Sequence, residues 1–263
     1  MSLLLSHFNQ SLRRPDHWIY GSWLDTIVKY RKTSLGLLWI PIPIAVYIWG
    51  VGGFIGALQP AVDQGNFLAH VGVGFLIFRL MSTVILDATT LYASHQSYIY
   101  DGHRNLTDFI LRCMSRSMFY FLLSLPLLFV AMLGASDLEI AGLGWSLLGL
   151  AVLLVNLFSY SVLFSLLGAR FADLNEFMGS AILAAFLITP VVWYARLAQE
   201  GTTQGLLMRA NPLYHLLEAV RAPLFGEQVE ALTVQYLVVM TLVGVFAAAA
   251  AYGRFARRVP TWL

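Results

Sequence analysis

Residues 29–58 read KYRKTSLGLLWIPIPIAVYIWGVGGFIGAL, a basic cluster followed at once by about 20 residues without a charge. A hydrocarbon core about 30 Å thick is crossed by about 20 apolar helical residues, and cytoplasmic flanks are rich in Lys and Arg. The stretch therefore reads as a membrane span with Lys29, Arg31 and Lys32 on the cytoplasmic side. A cleaved signal peptide fits less well, because the apolar run is long and the residues before it include Trp18, Trp23 and Asp25.

Composition points the same way. Of 263 residues, 59% are hydrophobic and 11% charged, with a mean hydropathy of +0.72, whereas soluble domains carry about 25% charged residues. The expected fold class is an all-α membrane protein. A net charge of +2 is too small to imply nucleic acid, and the uneven placement of Lys and Arg reads as topology. Cys113 is the only cysteine, which excludes an intrachain disulfide and a thiolate metal site. Lys29 and Lys32 are the only lysines and neither follows G-x-x-x-x-G, so this chain has no Walker lysine to hold ATP. No H-E-x-x-H, G-x-S-x-G or Ca-loop pattern occurs, and the six histidines are scattered without ligand spacing. No catalytic residue, metal ligand or cofactor is assigned to it.

Working outward, residues 16–32 place Ile19, Tyr20, Trp23, Leu24, Ile27, Val28 and Tyr30 on one helical face, with Ser22, Asp25, Lys29 and Lys32 opposite. That pattern predicts an interface helix, with Trp23 at headgroup depth and Lys29 and Arg31 near anionic lipid. Six spans are expected, at about 36–58, 67–91, 118–133, 143–167, 177–194 and 231–252. The turns QPAVDQGN and GASDLEIAG carry no Lys or Arg and read as external, which leaves both termini cytoplasmic. Residues 98–117 form a polar cytoplasmic segment where a soluble partner could grip. Residues 206–225, half apolar and broken by Asn211-Pro212 and Pro223, predict a re-entrant pair of short helices. One domain covers 1–263.

Three short motifs then resemble the permease subunits of ABC-2-type exporters for cell-surface polysaccharide (O-antigen, capsule, teichoic acid). The pattern Y-R-x-[ST]-x-L-G-x-x-W is matched by Tyr30, Arg31, Thr33, Leu35, Gly36 and Trp39. An R-[FY]-x-D-[LI] turn is matched by Arg170, Phe171, Asp173 and Leu174. An N-P-[LM]-x-x-[LI]-[IL]-[ED]-x-x-R stretch is matched by Asn211, Pro212, Leu213, Leu216, Leu217, Glu218 and Arg221. Two departures stand out: Pro41 and Pro43 are not clearly in the usual register, and no proline lies between Tyr98 and Arg116. The resemblance implies a homodimer in the bacterial inner membrane, a separate cytoplasmic ATPase in two copies carrying ATP and Mg, and a lipid-linked polysaccharide as substrate. With that proline missing, coupling to the ATPase is assigned to segment 98–117 as a region, Arg104 and Arg112 being its candidates, and the turn with Arg170 and Asp173 is the other coupling candidate. A permease for a drug or small lipid is the nearest rival. An intramembrane glycosyl or acyl transferase is the rival from another class; it should show titratable groups clustered at one depth, where Arg79 stands nearly alone.

Arg79, in the middle of the second span, must face protein or water, either lining a pathway or pairing with another helix. Asp87 lies about 12 Å further along the axis, too far for a direct pair, and is expected to be solvated. Tyr47 and Phe54 are a heptad apart and, with Trp49, offer an aromatic surface for the C–H faces of sugars. Tyr47, Phe54, Arg79 and Trp49 are the channel-lining candidates, lipid anchoring being the other reading of Trp49. Glu218 and Arg221, spaced i,i+3, are expected to pair locally and hold the re-entrant helix.

Overall fold

The computed structural model describes residues 3–59 and 62–263; Pro60 and Ala61, in the expected first external loop, lie outside the described residues. All regular structure among the described residues is helical. Five helices are long and apolar enough to cross a membrane: Gly36–Ala57, Gln64–Ser94, Leu106–Met132, Ile140–Arg170 and Ala231–Trp262.

In chain order, α1 (Leu3–Leu12) and α2 (Ile19–Tyr30) precede the first long helix. That helix is composite: a 3-10 turn (Gly36–Trp39), α3 (Ile42–Ala45), a π-helix (Val46–Gly52) and α4 (Gly53–Ala57). Then follow α5 (Gln64–Ser94), α6 (Gln96–Tyr100), α7 (Leu106–Met132), α8 (Leu143–Arg170) and α9 (Leu174–Ile188). Two short helices, α10 (Thr203–Ala210) and α11 (Pro212–Arg221), lead into α12 (Ala231–Phe255) and α13 (Val259–Trp262).

The bundle is built around α5, whose apolar stretch is 78% buried against 17–39% for the other four long helices. Between helices in lipid there is little hydrophobic drive, so close packing of small residues has to supply the attraction. Gly168 of α8 meets α5 so closely that a Cβ there would lie 1.7 Å from the Thr89 carbonyl oxygen. Gly149 does the same toward α11, at 2.1 Å from the Ala219 carbonyl oxygen.

The first long helix lies against α5 along Ile40, Ile44, Ile48, Gly52 and Gly56, which are all buried. That repeat of four residues is longer than the 3.6 of an α-helix, and the π-helix keeps it on one face because each residue of a widened turn rotates less. The consequence is a correction to the heptad reading. Tyr47 turns inward and Phe54 outward, the latter 67% exposed.

Two further boundaries differ from those read in the sequence. The third span, expected at 118–133, is a helix from Leu106, started by a reciprocal capping box between Asn105 and Asp108. The second half of the expected polar segment 98–117 is therefore helical, and its charges are neutralised by distant acids. Arg112 donates two bonds of 2.7 Å to Asp25 of α2, and Arg116 one of 2.7 Å to Asp87 of α5. Asp87 is thus paired rather than solvated. The fifth span, expected at 177–194, is helical only to Ile188; its 15 residues cover about 22 Å. Pro190 ends it, since proline lacks an N–H and disfavours helical backbone at the residue before it.

The α2 helix is turned so that its polar side meets protein. Ser22 and Thr26 are buried against α7, while Tyr20 and Val28 are 60% and 61% exposed. Trp23 lies edge-on to Phe119 of α7, and Lys29 stands over the Tyr30 and Tyr120 rings. Arg31 is exposed. The apolar side facing away from the bundle is the arrangement an interface helix requires.

Both terminal helices sit at one end. His7 Nδ1 is 2.9 Å from the Tyr252 hydroxyl, Ser11 bonds Thr107, and Gln96 of α6 donates to the Leu263 carbonyl. His95 is at the same end, with Nδ1 2.9 Å from the Leu91 carbonyl and its ring against Phe109. Burial lowers its pKa below the usual histidine value, partly offset by the Leu91 bond. The unfolded chain therefore takes up this proton first. The stability it contributes is complete above about pH 6.5 and is lost as pH falls through the folded value. Replacing His95 by Gln is expected to flatten that part of the wild-type profile, measured by unfolding in detergent between pH 5 and 7.5.

Candidate functional site at the interrupted helices

Beyond Ile188 the chain runs irregularly to a 3-10 turn (Ala195–Leu197), then through α10 and α11 to another 3-10 turn (Ala222–Phe225). The Asn211-Pro212 pair starts α11 by ordinary capping: the Asn211 side chain accepts from the Leu213 N–H at 3.0 Å and Pro212 occupies the first turn. The Asn211 amide also donates to Thr189 Oγ1 at 2.7 Å, tying this cap to the end of α9. The amphipathic α11 is wedged among α5, α8 and α12, with Leu213 through Glu218, Val220 and Arg221 buried.

A broken helix leaves carbonyl oxygens without their usual donors, and buried ones need replacements. Here Arg221 supplies them. It pairs with Glu218, donates from Nη1 to the Pro190 carbonyl, and the same Nη1 lies 3.0 Å from His70 Nε2. His70, on α5, also has Nε2 3.1 Å from the Trp193 carbonyl. A neutral imidazole nitrogen either donates or accepts, so His70 serves one of these partners at a time. Arg209 holds the Ala198 carbonyl at 3.2 Å and Glu230 at 2.7 Å. The fully buried His215 joins Thr233 to the Arg209 carbonyl, both at 2.8 Å, with its ring stacked on Tyr236.

These groups line or underlie a polar cavity of about 480 Å³. Its walls carry Asp63, Asp137, Glu227 and Glu230 against Arg196, Arg209 and Arg221. Burial, and then the nearby Glu218, raise the Glu227 carboxyl above the usual range, with Arg221 and Arg196 opposing. A mainly apolar groove of about 730 Å³, lined by residues of α8, α9, α11 and α12, reaches the same Asn211-Pro212 cap.

No protein-family model matches the chain, and no curated protein matches it.

The cluster of charges lies apart from Arg79, and most of its members stand on the segments that connect the long helices. Local spacing could not reveal it, because His70, Asp137, Arg196, Arg209, Arg221 and Glu227 come from well-separated segments. Among the described residues, no group of three or more His, Cys, Asp or Glu side chains is placed to hold a metal ion. Arg79 itself lies elsewhere, donating to the Ile40 carbonyl at 3.1 Å. That oxygen would ordinarily receive the Ile44 N–H, which bonds the Pro41 carbonyl instead. Arg79→Leu is expected to destabilise the protein by about 1–3 kcal/mol, the cost of an unpaired buried carbonyl, in detergent unfolding, with Arg79→Lys milder.

The other channel candidates are not brought together. Tyr47 stacks on Phe75, with centroids 3.7 Å apart, and meets Phe186 edge-on. Phe54 and Trp49 are exposed on the first long helix, at 67% and 40%. Among the expected coupling residues, Arg104 is exposed with Nη1 2.7 Å from His17 Nδ1, Arg170 lies over the Phe171 ring, and Asp173 is exposed just before α9. Arg112 is held in its pair with Asp25.

Proposed function

We propose that this chain is the membrane subunit of an ATP-driven exporter that moves a lipid-linked polysaccharide across the bacterial inner membrane. It works as a homodimer with two copies of a separate cytoplasmic ATPase that binds ATP and Mg. The five long helices and the short α9 make six crossings, with both termini cytoplasmic and the α10–α11 hairpin re-entering from outside. The observation that carries the reading is the interrupted backbone inside a helical bundle, next to a polar cavity. Irregular backbone is tolerated at membrane depth only against protein or water, and transporters use such breaks at their pathways. The apolar groove beside the hairpin supports a substrate with a lipid tail. The outward apolar side of α2 supports anchoring at the membrane surface.

The titratable cluster favours a second reading, an intramembrane glycosyl or acyl transferase acting at the polar cavity. A permease for a drug or small lipid shares the exporter architecture. Deleting the gene separates the three. The exporter reading expects complete lipid-linked polymer to accumulate inside the cell with little at the surface. A transferase would leave surface polymer lacking one group, and a drug or lipid permease would leave it unchanged; either result overturns the proposal.

A further inference from the structure

Among the charges at the polar cavity, Arg209 is paired with Glu230 and Arg221 with Glu218. Arg196 lies on the Tyr194 ring, 4.6 Å from its centroid, and neither it nor Glu227, Asp63 or Asp137 is in an ion pair among the described residues. Arg221 is 2% exposed, yet its Nε has no hydrogen-bond partner. A buried donor left unpaired is unfavourable, so Arg221 is held at this wall by its Nη atoms alone. Gln199 and Gln228 add amides to the lining, each both donor and acceptor.

We propose that this cavity binds neutral sugar units through their hydroxyl groups. A phosphate or carboxylate ligand would face Asp63, Asp137 and Glu227, and an ammonium ligand would face Arg196 and Arg221. A hydroxyl both donates and accepts, so an uncharged polyhydroxylated ring meets carboxylates, guanidiniums and amides with the same group. The volume of about 480 Å³ falls within the range of about 300–1,000 Å³ usual for small-ligand pockets. That the sugar is a unit of an exported polymer rests on the exporter reading; the binding chemistry does not.

The test is saturation-transfer NMR on the full chain in detergent micelles. Its panel is the methyl glycosides of glucose, galactose, mannose, rhamnose, N-acetylglucosamine and N-acetylgalactosamine, with glucuronic acid and glucosamine as charged comparators. At least one neutral glycoside is expected to receive saturation. The Arg196→Ala/Glu227→Ala variant is expected to bind it about tenfold more weakly, at an unchanged melting temperature. No transfer to any neutral glycoside, preference for either charged sugar, or equal binding by the variant overturns the proposal. Should a variant melt early, Gln228→Ala replaces it under the same criteria. Binding in a protein whose deletion leaves surface polysaccharide intact removes the exporter reading alone. Blocked export without neutral-sugar binding removes this proposal alone.

Discussion

Arg221→Met is expected to leave little folded protein, and adding Glu218→Leu is expected to restore part of what is lost. The single change strands Glu218 as an unpaired carboxylate, buried in the pair at 10% side-chain exposure. Breaking a buried ion pair from one side costs about 3–5 kcal/mol, a large share of the roughly 5–15 kcal/mol that holds a typical domain together. Replacing both partners by apolar groups removes the stranded charge but still leaves the Pro190 carbonyl without its Arg221 donor, a loss of about 1–3 kcal/mol. The double variant should therefore lie between wild type and the single variant in a detergent unfolding series. Additive effects of the two single changes would show that the pair does not couple.

Gly168→Ala is expected to be as damaging by a different route. The added methyl would overlap the Thr89 carbonyl oxygen of α5, which is backbone and cannot swing aside. Relief requires α5 and α8 to separate. That weakens the bond from Thr89 Oγ1 to Asn175, 2.8 Å long, which seats the start of α9. Overpacking in a core costs about 1–3 kcal/mol when side chains can adjust, and here backbone must move. Gly253→Ala is the control, because a Cβ at Gly253 meets nothing within 4 Å. Folded yield on size-exclusion chromatography should drop sharply for Gly168→Ala and stay level for Gly253→Ala. Equal yields would mean that α5 and α8 do not pack through Gly168.

Much of the helix content was legible because long apolar runs are a local signal. The two short helices between α9 and α12 were legible too, from Asn211-Pro212, and so was the Glu218–Arg221 pair from its spacing, since both act within one turn of helix. What could not be read depends on partners far away in the chain. The charges of residues 98–117 look solvated until Asp25 and Asp87 arrive from α2 and α5. Tyr47 and Phe54 share a face only if every turn is α-helical, and the π-helix between them is set by packing on α5. The cavity was invisible for the same reason, since its charges are gathered by the folding of several connecting segments.

The contacts of α1 and α2 have a consequence for the order in which the molecule can be assembled. The Asp25–Arg112 bond spans 87 residues, and the His7–Tyr252 contact spans 245. While the chain is being synthesised, α2 has its apolar side and no partner for its polar one until α7 exists, so the membrane surface is its first resting place. The α1 helix has its full set of contacts later still, because α12 follows α7 and α8 in the chain. Contacts that close long loops form late, after the local ones that shorten the path. The seating of α1 begins on α7, through Ser11 and Thr107, and is completed only when α12 brings Tyr252 to His7; a bundle cut short before α12 leaves that second contact unmade.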